Sequence, residues 1–429
     1  MEAVITPARQ LIGEVDIPGD KSISHRGVML GSLAKGTTRI THFLTGEDCL
    51  NTIKAFQSMG VSIETNINSR NETEVIITGK GLHGLNKPAS TIDVGNSGTT
   101  ARLLSGILAG QSFSSVLDGD ASLRKRPMGR VVEPLAKMGA IIHANDGKLP
   151  LNIYGSELHG IEYSLPVASA QVKSAIILAA LYADSPAVIH QNALSRDHTE
   201  IMINFFGGKV ETRDLSIHAH PVNELYARDL YVPGDISSAA FFITAALLVP
   251  NSRITMKKVG INPTRTGILD VYRQMGADIK VENIDYANGE PMGDLTASYS
   301  LLRGVEIEGA MIPRLIDEIP IIALAASQAH GTTVIRDAAE LKVKESNRID
   351  MVVRTLRTLG ADIEATEDGM VIHGPAPLTG NIVSCGMDHR IAMMAAIAGL
   401  IARDRTIIAD SQWVDISFPG FFNAIERLK

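Results

Sequence analysis

The sequence predicts an α/β protein of two domains assembled from six similar units, and three observations carry that prediction. Turn residues open an apolar run at Gly19-Asp20-Lys21-Ser22, Gly95-Asn96-Ser97-Gly98, Val167-Ala168-Ser169-Ala170, Gly234-Asp235-Ile236-Ser237, Ile312-Pro313-Arg314-Leu315 and Gly386-Met387-Asp388-His389, at intervals of 67 to 78 residues. A helix-like stretch ending in a hydrophobe-Gly-small step recurs at Met59-Gly60-Val61, Met138-Gly139-Ala140, Phe206-Gly207-Gly208, Met275-Gly276-Ala277 and Leu359-Gly360-Ala361. Finally, Ile17-Pro18-Gly19-Asp20 is echoed by Val232-Pro233-Gly234-Asp235. Self-similarity at a fixed period signals one supersecondary unit used repeatedly.

Each element follows from local chemistry. Asp, Ser and Asn at the opening turns can accept from the free N–H groups of a first helical turn. Glycine after the last turn supplies the left-handed residue on which helices commonly end. The strands that follow alternate, as in Ala277-Asp278-Ile279-Lys280-Val281, the pattern of a half-buried strand. The stretches 174–183, 237–249, 319–329 and 388–402 are apolar nearly all round and predict buried helices. Six such helices suggest two bundles, each wrapped by short sheets. The echoed segments read as two strands crossing between domains, with hinges near 18–21 and 232–235. One domain is then 20–234, and the other 1–19 together with 235–429.

Composition narrows the function. The chain of 429 residues carries 40 Lys+Arg against 47 Asp+Glu, a formal net charge of −7, which argues against a general nucleic-acid coat protein. Aromatic residues are only 4%, so stacking platforms are not expected. Two distant cysteines, Cys49 and Cys385, make neither a disulfide scaffold nor a zinc cluster. Met1-Glu2-Ala3-Val4 lacks the basic start of a secretion signal, and no apolar stretch approaches the roughly 20 residues of a membrane span. A cytoplasmic protein with neither membrane nor nucleic-acid partners is expected.

Several motifs place charge at helix starts. In Asp20-Lys21-Ser22-Ile23-Ser24-His25-Arg26, Ser22 and Arg26 share a helical face beside free backbone N–H groups, where an anion is favoured. A solvated, capped helix start explains the motif equally well. Gly95-Asn96-Ser97-Gly98-Thr99-Thr100 lets backbone amides approach a phosphate, opens the helix carrying Arg102, and matches no nucleotide fingerprint. Leu123 to Arg130 packs four cations around a proline, either as exposed surface or as bidentate phosphate ligands. Ser169-Ala170-Gln171-Val172-Lys173 and Ser195-Arg196-Asp197-His198 begin further helices. Asp317 and Glu318 lie among apolar residues, as caps or as a general base. Lys344 and Arg348 stand four apart with Glu345 beside them, the spacing of one helix face. Asp388-His389-Arg390 opens a strongly apolar helix and reads as functional.

Taken in order, GDKSISHR, GNSGTTAR, KRPMGR, SAQVKSA, PRLIDEIP, LKVKESNR and DHRIAM closely resemble the enolpyruvyl transferase family, and within it the synthases of 5-enolpyruvylshikimate 3-phosphate. The resemblance runs from Pro18 to Phe422. It implies a two-domain inside-out α/β barrel of six βαββαβ repeats, three per domain, with helices inside and sheets outside, closing on its substrates. It implies transfer of the enolpyruvyl group of phosphoenolpyruvate to the 5-hydroxyl of shikimate 3-phosphate, in aromatic amino-acid biosynthesis, by a monomer that needs no metal or organic cofactor. By resemblance, Lys21, Ser22, Arg26, Ser169, Ala170, Gln171, Arg196, Asp317 and Lys344 bind shikimate 3-phosphate. Lys21, Gly98, Arg126, Gln171, Arg348 and Arg390 bind phosphoenolpyruvate. Asp317 and Glu345 serve as acid/base groups, with Lys21 assisting the leaving phosphate.

Two positions bear on this pattern. Some members place a lysine just before Ser417-Phe418-Pro419, where this chain has Ile416; glyphosate-tolerant members carry alanine where this chain has Gly98. Glyphosate is therefore expected to compete with phosphoenolpyruvate here. The rival readings are a UDP-N-acetylglucosamine enolpyruvyl transferase and a non-catalytic anion-binding protein of the same fold. The first uses a loop cysteine that 117–128 lacks, and the second has no need of Asp317 and Glu345.

Overall fold

A computed structural model describes residues 1–69 and 72–429. Its helices are α1 (Lys21–Leu33), α2 (Glu47–Ser58), α3 (Gly98–Ala109), α4 (Gly129–Lys137), α5 (Ala170–Ala180), α6 (His198–Phe205), α7 (Ile236–Leu248), α8 (Gly267–Gln274), α9 (Ile319–Ser327), α10 (Arg348–Thr358), α11 (His389–Ile401) and α12 (Phe421–Leu428). Odd-numbered helices are buried on nearly every side: in α3 only Thr99 escapes, and in α7 only Leu248. The small residues between their Leu and Ile side chains let backbones touch. A Cβ on Gly106 of α3 would stand 2.2 Å from the Ala175 carbonyl oxygen of α5. Even-numbered helices bury one face; α2 turns in Cys49, Ile53, Ala55 and Phe56 and leaves Lys54 and Gln57 outward.

By their contacts the residues divide into two units. The first comprises Met1–Pro18, Pro233–Asp285 and Pro291–Lys429; the second comprises Gly19–Val232 and Tyr286–Glu290. In the second unit α3 packs on both α1 and α5, and three sheets surround them. Each sheet pairs two central antiparallel strands: Ala34–Thr41 with Thr73–Lys80, Ser115–Asp118 with Lys148–Tyr154, and Ala187–His190 with Ser216–Ala219. A parallel strand flanks one side (Leu225–Tyr226, Ile92–Asp93, Glu162–Ser164) and an antiparallel strand the other (Ser62–Ile67, Ile141–Asn145, Val210–Arg213). Paired positions such as Ile40 and Val75 point inward and are fully buried, so the sheets lie outside the helices.

The first unit repeats the scheme around α7, α9 and α11. Its sheets are built on Arg253–Gly260, Gly331–Ile335 and Thr406–Ala409, with parallel partners Ile12–Val15, Glu306–Ile307 and Ile382–Ser384. The third sheet has three strands, because Glu2–Ile5 from the chain start pairs antiparallel with Thr406–Ala409 where the other sheets have a hairpin. This is the two-domain α/β fold of three repeats per unit with helices inside.

The five glycines of the recurring step adopt left-handed φ values: 84° at Gly60, 96° at Gly139, 90° at Gly207, 90° at Gly276 and 100° at Gly360. Elsewhere, boundaries move. The helix opened at Ser169-Ala170 starts where expected, capped by Ser169 accepting from Val172 N (3.5 Å), but ends at Ala180, before the apolar stretch 174–183 does. The start expected at 312 is a 3-10 helix, Gly309–Arg314, and α9 begins only at Ile319. Pro320 has no N–H to give and fits only the first turn, where none is needed. No helix among the described residues is long and apolar enough to cross a membrane.

Candidate functional site

In the second unit, helix N-termini converge because side chains of the inner helices bond to one another near their first turns. Asp20 caps α1 from Ile23 N (2.9 Å), and Ser97 caps α3 from Thr100 N (3.2 Å). Arg26, one turn into α1, is 4% exposed; it donates through Nε to Thr199 Oγ1 (2.6 Å), Nη1 to the Ser22 carbonyl (3.0 Å) and Nη2 to Ser174 Oγ (2.9 Å). These bonds tie α1 to α5 and α6, and commit three of the five guanidinium donors. Burial pushes the Arg26 pKa down to about 10; Glu200, Asp20 and Glu290 oppose the shift and the nearby Arg196 adds to it. Two expected site cations, Arg26 and Arg196, therefore feel one another. Lys21, the first residue of α1, pairs with Asp48 at 2.9 Å.

Around α3 the same unit assembles Gly98, Arg126 and Gln171. Gln171, second in α5, donates to Thr99 Oγ1 (3.1 Å) and accepts at Oε1 from Arg102 Nη1 (2.7 Å). Arg126 donates to Asn96 Oδ1 at 2.7 Å. A Cβ at Gly98 would lie 2.8 Å from Arg102 Nη1 and 3.3 Å from Arg126 Nη1. The glycine is thus what lets two guanidinium groups gather at the α3 N-terminus, where backbone N–H groups and the helix dipole favour an anion. Arg102 is 4% exposed and was not among the expected ligands. Its signal was present: a single arginine inside Gly98-Thr99-Thr100-Ala101-Arg102-Leu103-Leu104, where burial demands partners.

His25, inside the first motif, has no substrate role by geometry. It is buried between Thr52 (2.7 Å) and Thr100 (3.5 Å), and desolvation lowers its pKa to about 3, so it is a neutral spacer joining α1, α2 and α3.

The first unit gathers Asp317, Lys344, Glu345, Arg348 and Arg390. Arg348 opens α10 behind the cap Asn347 and is 1% exposed. Its Nε donates to Asp388 Oδ2 (2.9 Å), Nη1 to Asp317 Oδ1 (3.2 Å) and Nη2 to Glu345 Oε2 (2.5 Å). Burial by itself would lower the Arg348 pKa, but Asp388, Glu345 and Asp317 hold it above the usual guanidinium range. Burial likewise raises Asp388, and Arg348 overcomes it, leaving that carboxyl below its ordinary value. Lys344 Nζ lies 4.0 Å from Asp317 Oδ1 and 3.4 Å from Glu340. Arg390, in the first turn of α11, donates to the Asp317 carbonyl (3.1 Å).

One local expectation fails. Lys344 and Arg348 do not share a helix face, because a 3-10 helix ends at Val343, Lys344 is extended (φ −80°, ψ −154°) and α10 starts afresh at Arg348. Tertiary contact with Asp317 brings the two cations together instead. Ile416 closes the 3-10 turn Ser411–Ile416, after which Phe418 packs on Phe242 and Phe421 (ring centroids 5.5 and 5.4 Å).

The arrangement suits phosphorylated, carboxylated ligands: arginines and helix N-termini for anions, carboxylates beside cations for proton transfer. Comparison with known proteins agrees. The family model described as EPSP synthase (3-phosphoshikimate 1-carboxyvinyltransferase) matches residues 5–425. The chain is 54% identical to the 3-phosphoshikimate 1-carboxyvinyltransferase of Desulforudis audaxviator over 431 residues, covering 100% of both chains. It is 55% identical to that of Bacillus pumilus over 419 residues, covering 97% of each. A solved EPSP synthase from Acinetobacter baumannii, 44% identical, superposes with a TM-score of 0.88 over 100% of this chain and 98% of that one. The chain belongs to the EPSP synthase (3-phosphoshikimate 1-carboxyvinyltransferase) family.

Proposed function

We propose that the two clusters bind and activate the two substrates of enolpyruvyl transfer, with Asp317 and Glu345 moving the protons. The protein is a 3-phosphoshikimate 1-carboxyvinyltransferase of aromatic amino-acid biosynthesis: the enolpyruvyl group of phosphoenolpyruvate passes to the 5-hydroxyl of shikimate 3-phosphate, and phosphate is released. Carbon 3 of phosphoenolpyruvate gains a proton while the 5-hydroxyl oxygen bonds to carbon 2 and loses its own. The carbon 2–oxygen bond to phosphate then breaks, carbon 3 returns a proton, and the double bond re-forms.

Ser22 and Arg26 take the carboxylate of shikimate 3-phosphate, the two uncommitted Arg26 donors facing it. Ser169, the Ala170 backbone, Gln171 and Arg196 take its 3-phosphate, and Asp317 and Lys344 its ring hydroxyls. Lys21, Gly98, Arg126 and Gln171 take the phosphate of phosphoenolpyruvate; Arg348 and Arg390 take its carboxylate. Arg348 already faces three carboxylates, so the incoming carboxylate displaces Glu345 from Nη2. That exchange frees Glu345 from its cation, so that it takes a proton from solvent and passes it to carbon 3, recovering it when carbon 3 is deprotonated. Asp317 accepts the 5-hydroxyl proton and hands it to the departing phosphate that Lys21 steadies.

The observation that carries this reading is the single hydrogen-bonded cluster of Asp317, Glu345 and Asp388 on Arg348. A non-catalytic anion binder gains nothing from three carboxylates on its own cation. The deciding experiment is phosphate release from phosphoenolpyruvate with each acceptor. Release with shikimate 3-phosphate and none with UDP-N-acetylglucosamine is expected; binding without turnover would overturn the reading. The chain is further proposed to act as a monomer in the cytoplasm, which sedimentation equilibrium and cell fractionation check.

A further inference from the structure

Behind Arg390 the first unit holds a line of buried polar side chains that the reaction as assigned does not use. It starts at Asp235, whose backbone N–H donates to the Pro18 carbonyl (2.9 Å) and whose carboxylate caps α7 from Ser237 N (2.9 Å). Arg265 Nη2 donates to both Asp235 Oδ1 (3.1 Å) and Ser237 Oγ (2.8 Å). The Ser237 hydroxyl donates in turn to Glu318 Oε1. The same Glu318 oxygen stands 4.0 Å from Arg390 Nη1, which also donates to the carbonyl of the neighbouring residue Asp317 (3.1 Å). Every member is nearly sealed from solvent: Asp235 7% exposed, Ser237 3%, Arg265 3%, Glu318 1% and Arg390 8%.

We propose that Glu318 is a positioning residue for Arg390, the last link of a buried relay from the segment Pro18/Asp235 through Arg265 and Ser237 to the cation that takes the carboxylate of phosphoenolpyruvate. The proposal rests on that assignment of Arg390. Glu318 sits just before α9, where its carboxylate makes no cap bond with its own helix. It turns its charge sideways instead, onto the Ser237 hydroxyl and toward the guanidinium of Arg390. A carboxylate this deeply buried persists only when paired, and a guanidinium whose Nη1 is engaged by both a charge and a carbonyl keeps the rest of its planar fork oriented for a ligand. Asp317 and Glu318, adjacent in sequence, thus divide the work: one faces Arg348 and the reaction, and the other aims Arg390 from behind.

The test is steady-state kinetics on the full-length enzyme with both substrates, alongside the thermal midpoint, for Glu318→Gln, Ser237→Ala, Ser237→Thr, Arg390→Lys and the Glu318→Gln/Arg390→Lys double variant. Glu318→Gln should raise KM for phosphoenolpyruvate about tenfold, leaving KM for shikimate 3-phosphate within about twofold. Ser237→Ala should shift the same constant in the same direction, and Ser237→Thr, which keeps the hydroxyl, should restore it. The double variant should be no worse than Arg390→Lys alone, because the relay acts only through Arg390. Should Glu318→Gln not fold, the Ser237 pair decides. An unchanged KM for phosphoenolpyruvate in Glu318→Gln and Ser237→Ala, with Arg390→Lys still raising it, sinks the relay and spares the assignment of Arg390. An equal rise for both substrates also sinks it. If Arg390→Lys itself leaves that KM unchanged, the underlying assignment fails.

Discussion

The two units solve the problem of a buried arginine in opposite ways. In the second unit, Arg26 is held by two hydroxyls and a carbonyl, and Arg102 and Arg126 are met by the side-chain amides of Gln171 and Asn96. Hydroxyl, carbonyl and amide partners such as these orient a guanidinium without cancelling its charge. In the first unit, Arg348 is surrounded by Asp388, Asp317 and Glu345. There the charge is spent on holding carboxylates in place and on keeping the Asp388 carboxyl below its ordinary value. The difference supports the proposed division of work, in which the second unit's cations draw in anions and the first unit's carboxylates move protons. It also shows how a chain of net charge −7 can still concentrate positive charge where anionic substrates are proposed to bind.

The largest effect that could break this contrast is on turnover. Asp317→Asn should lower kcat by about 10²–10⁴ with little change in thermal stability, as loss of an acid/base group does; rapid-quench or steady-state assays read it. A kcat within tenfold of the parent would remove proton transfer from the first unit. Next comes stability: Arg348→Met leaves the fully buried Asp388 uncompensated and should cost about 3–5 kcal/mol in urea unfolding. Arg102→Met, which strips a neutral amide of its donor, should cost less.

Acid unfolding sharpens the contrast further. His25 titrates near 3 when folded and near 6.5 when unfolded, so the unfolded chain binds the extra proton between those values. Stability should therefore fall as pH drops below 6.5, by about 1.4 kcal/mol per pH unit. His25→Gln should abolish that slope. Asp388, held below its ordinary 3.8, contributes stability that is intact above that value and lost only as pH falls beneath it. The His25 contribution should thus be lost in mild acid and the Asp388 contribution only in strong acid, which unfolding curves across pH 3–7 of the parent and His25→Gln would resolve. The smallest effect is expected from Gly98→Ala. Its methyl presses on Arg102 and Arg126, and KM for phosphoenolpyruvate should rise by about tenfold or less; an unchanged KM would mean that the α3 N-terminus does not hold that substrate.

Much of the architecture could be read from residue order. The recurring glycines sit at left-handed φ because a helix ending on Gly is a local event, decided by a few neighbouring residues. The apolar helices were legible for the same reason: periodicity within one segment reports whether all its faces are buried. Local rules failed where prolines and tertiary contacts intervene. Spacing put Lys344 and Arg348 on one helix face, yet the backbone breaks between them, and Asp317, distant in sequence, unites them. Arg102 escaped notice as a ligand-organising residue, since its partner Gln171 lies in a different repeat.

Sequence by itself determined the repeat, five of the six inner-helix starts with their caps, and the identity of the charged residues, because each depends on interactions within a few positions along the chain. Only the tertiary structure decided which charges meet: that His25 is a neutral spacer, that Arg348 holds three carboxylates, and that Glu318 backs Arg390 rather than capping its own helix. Such pairings join residues tens to hundreds of positions apart, and their electrostatics depend on burial, which no single segment sets.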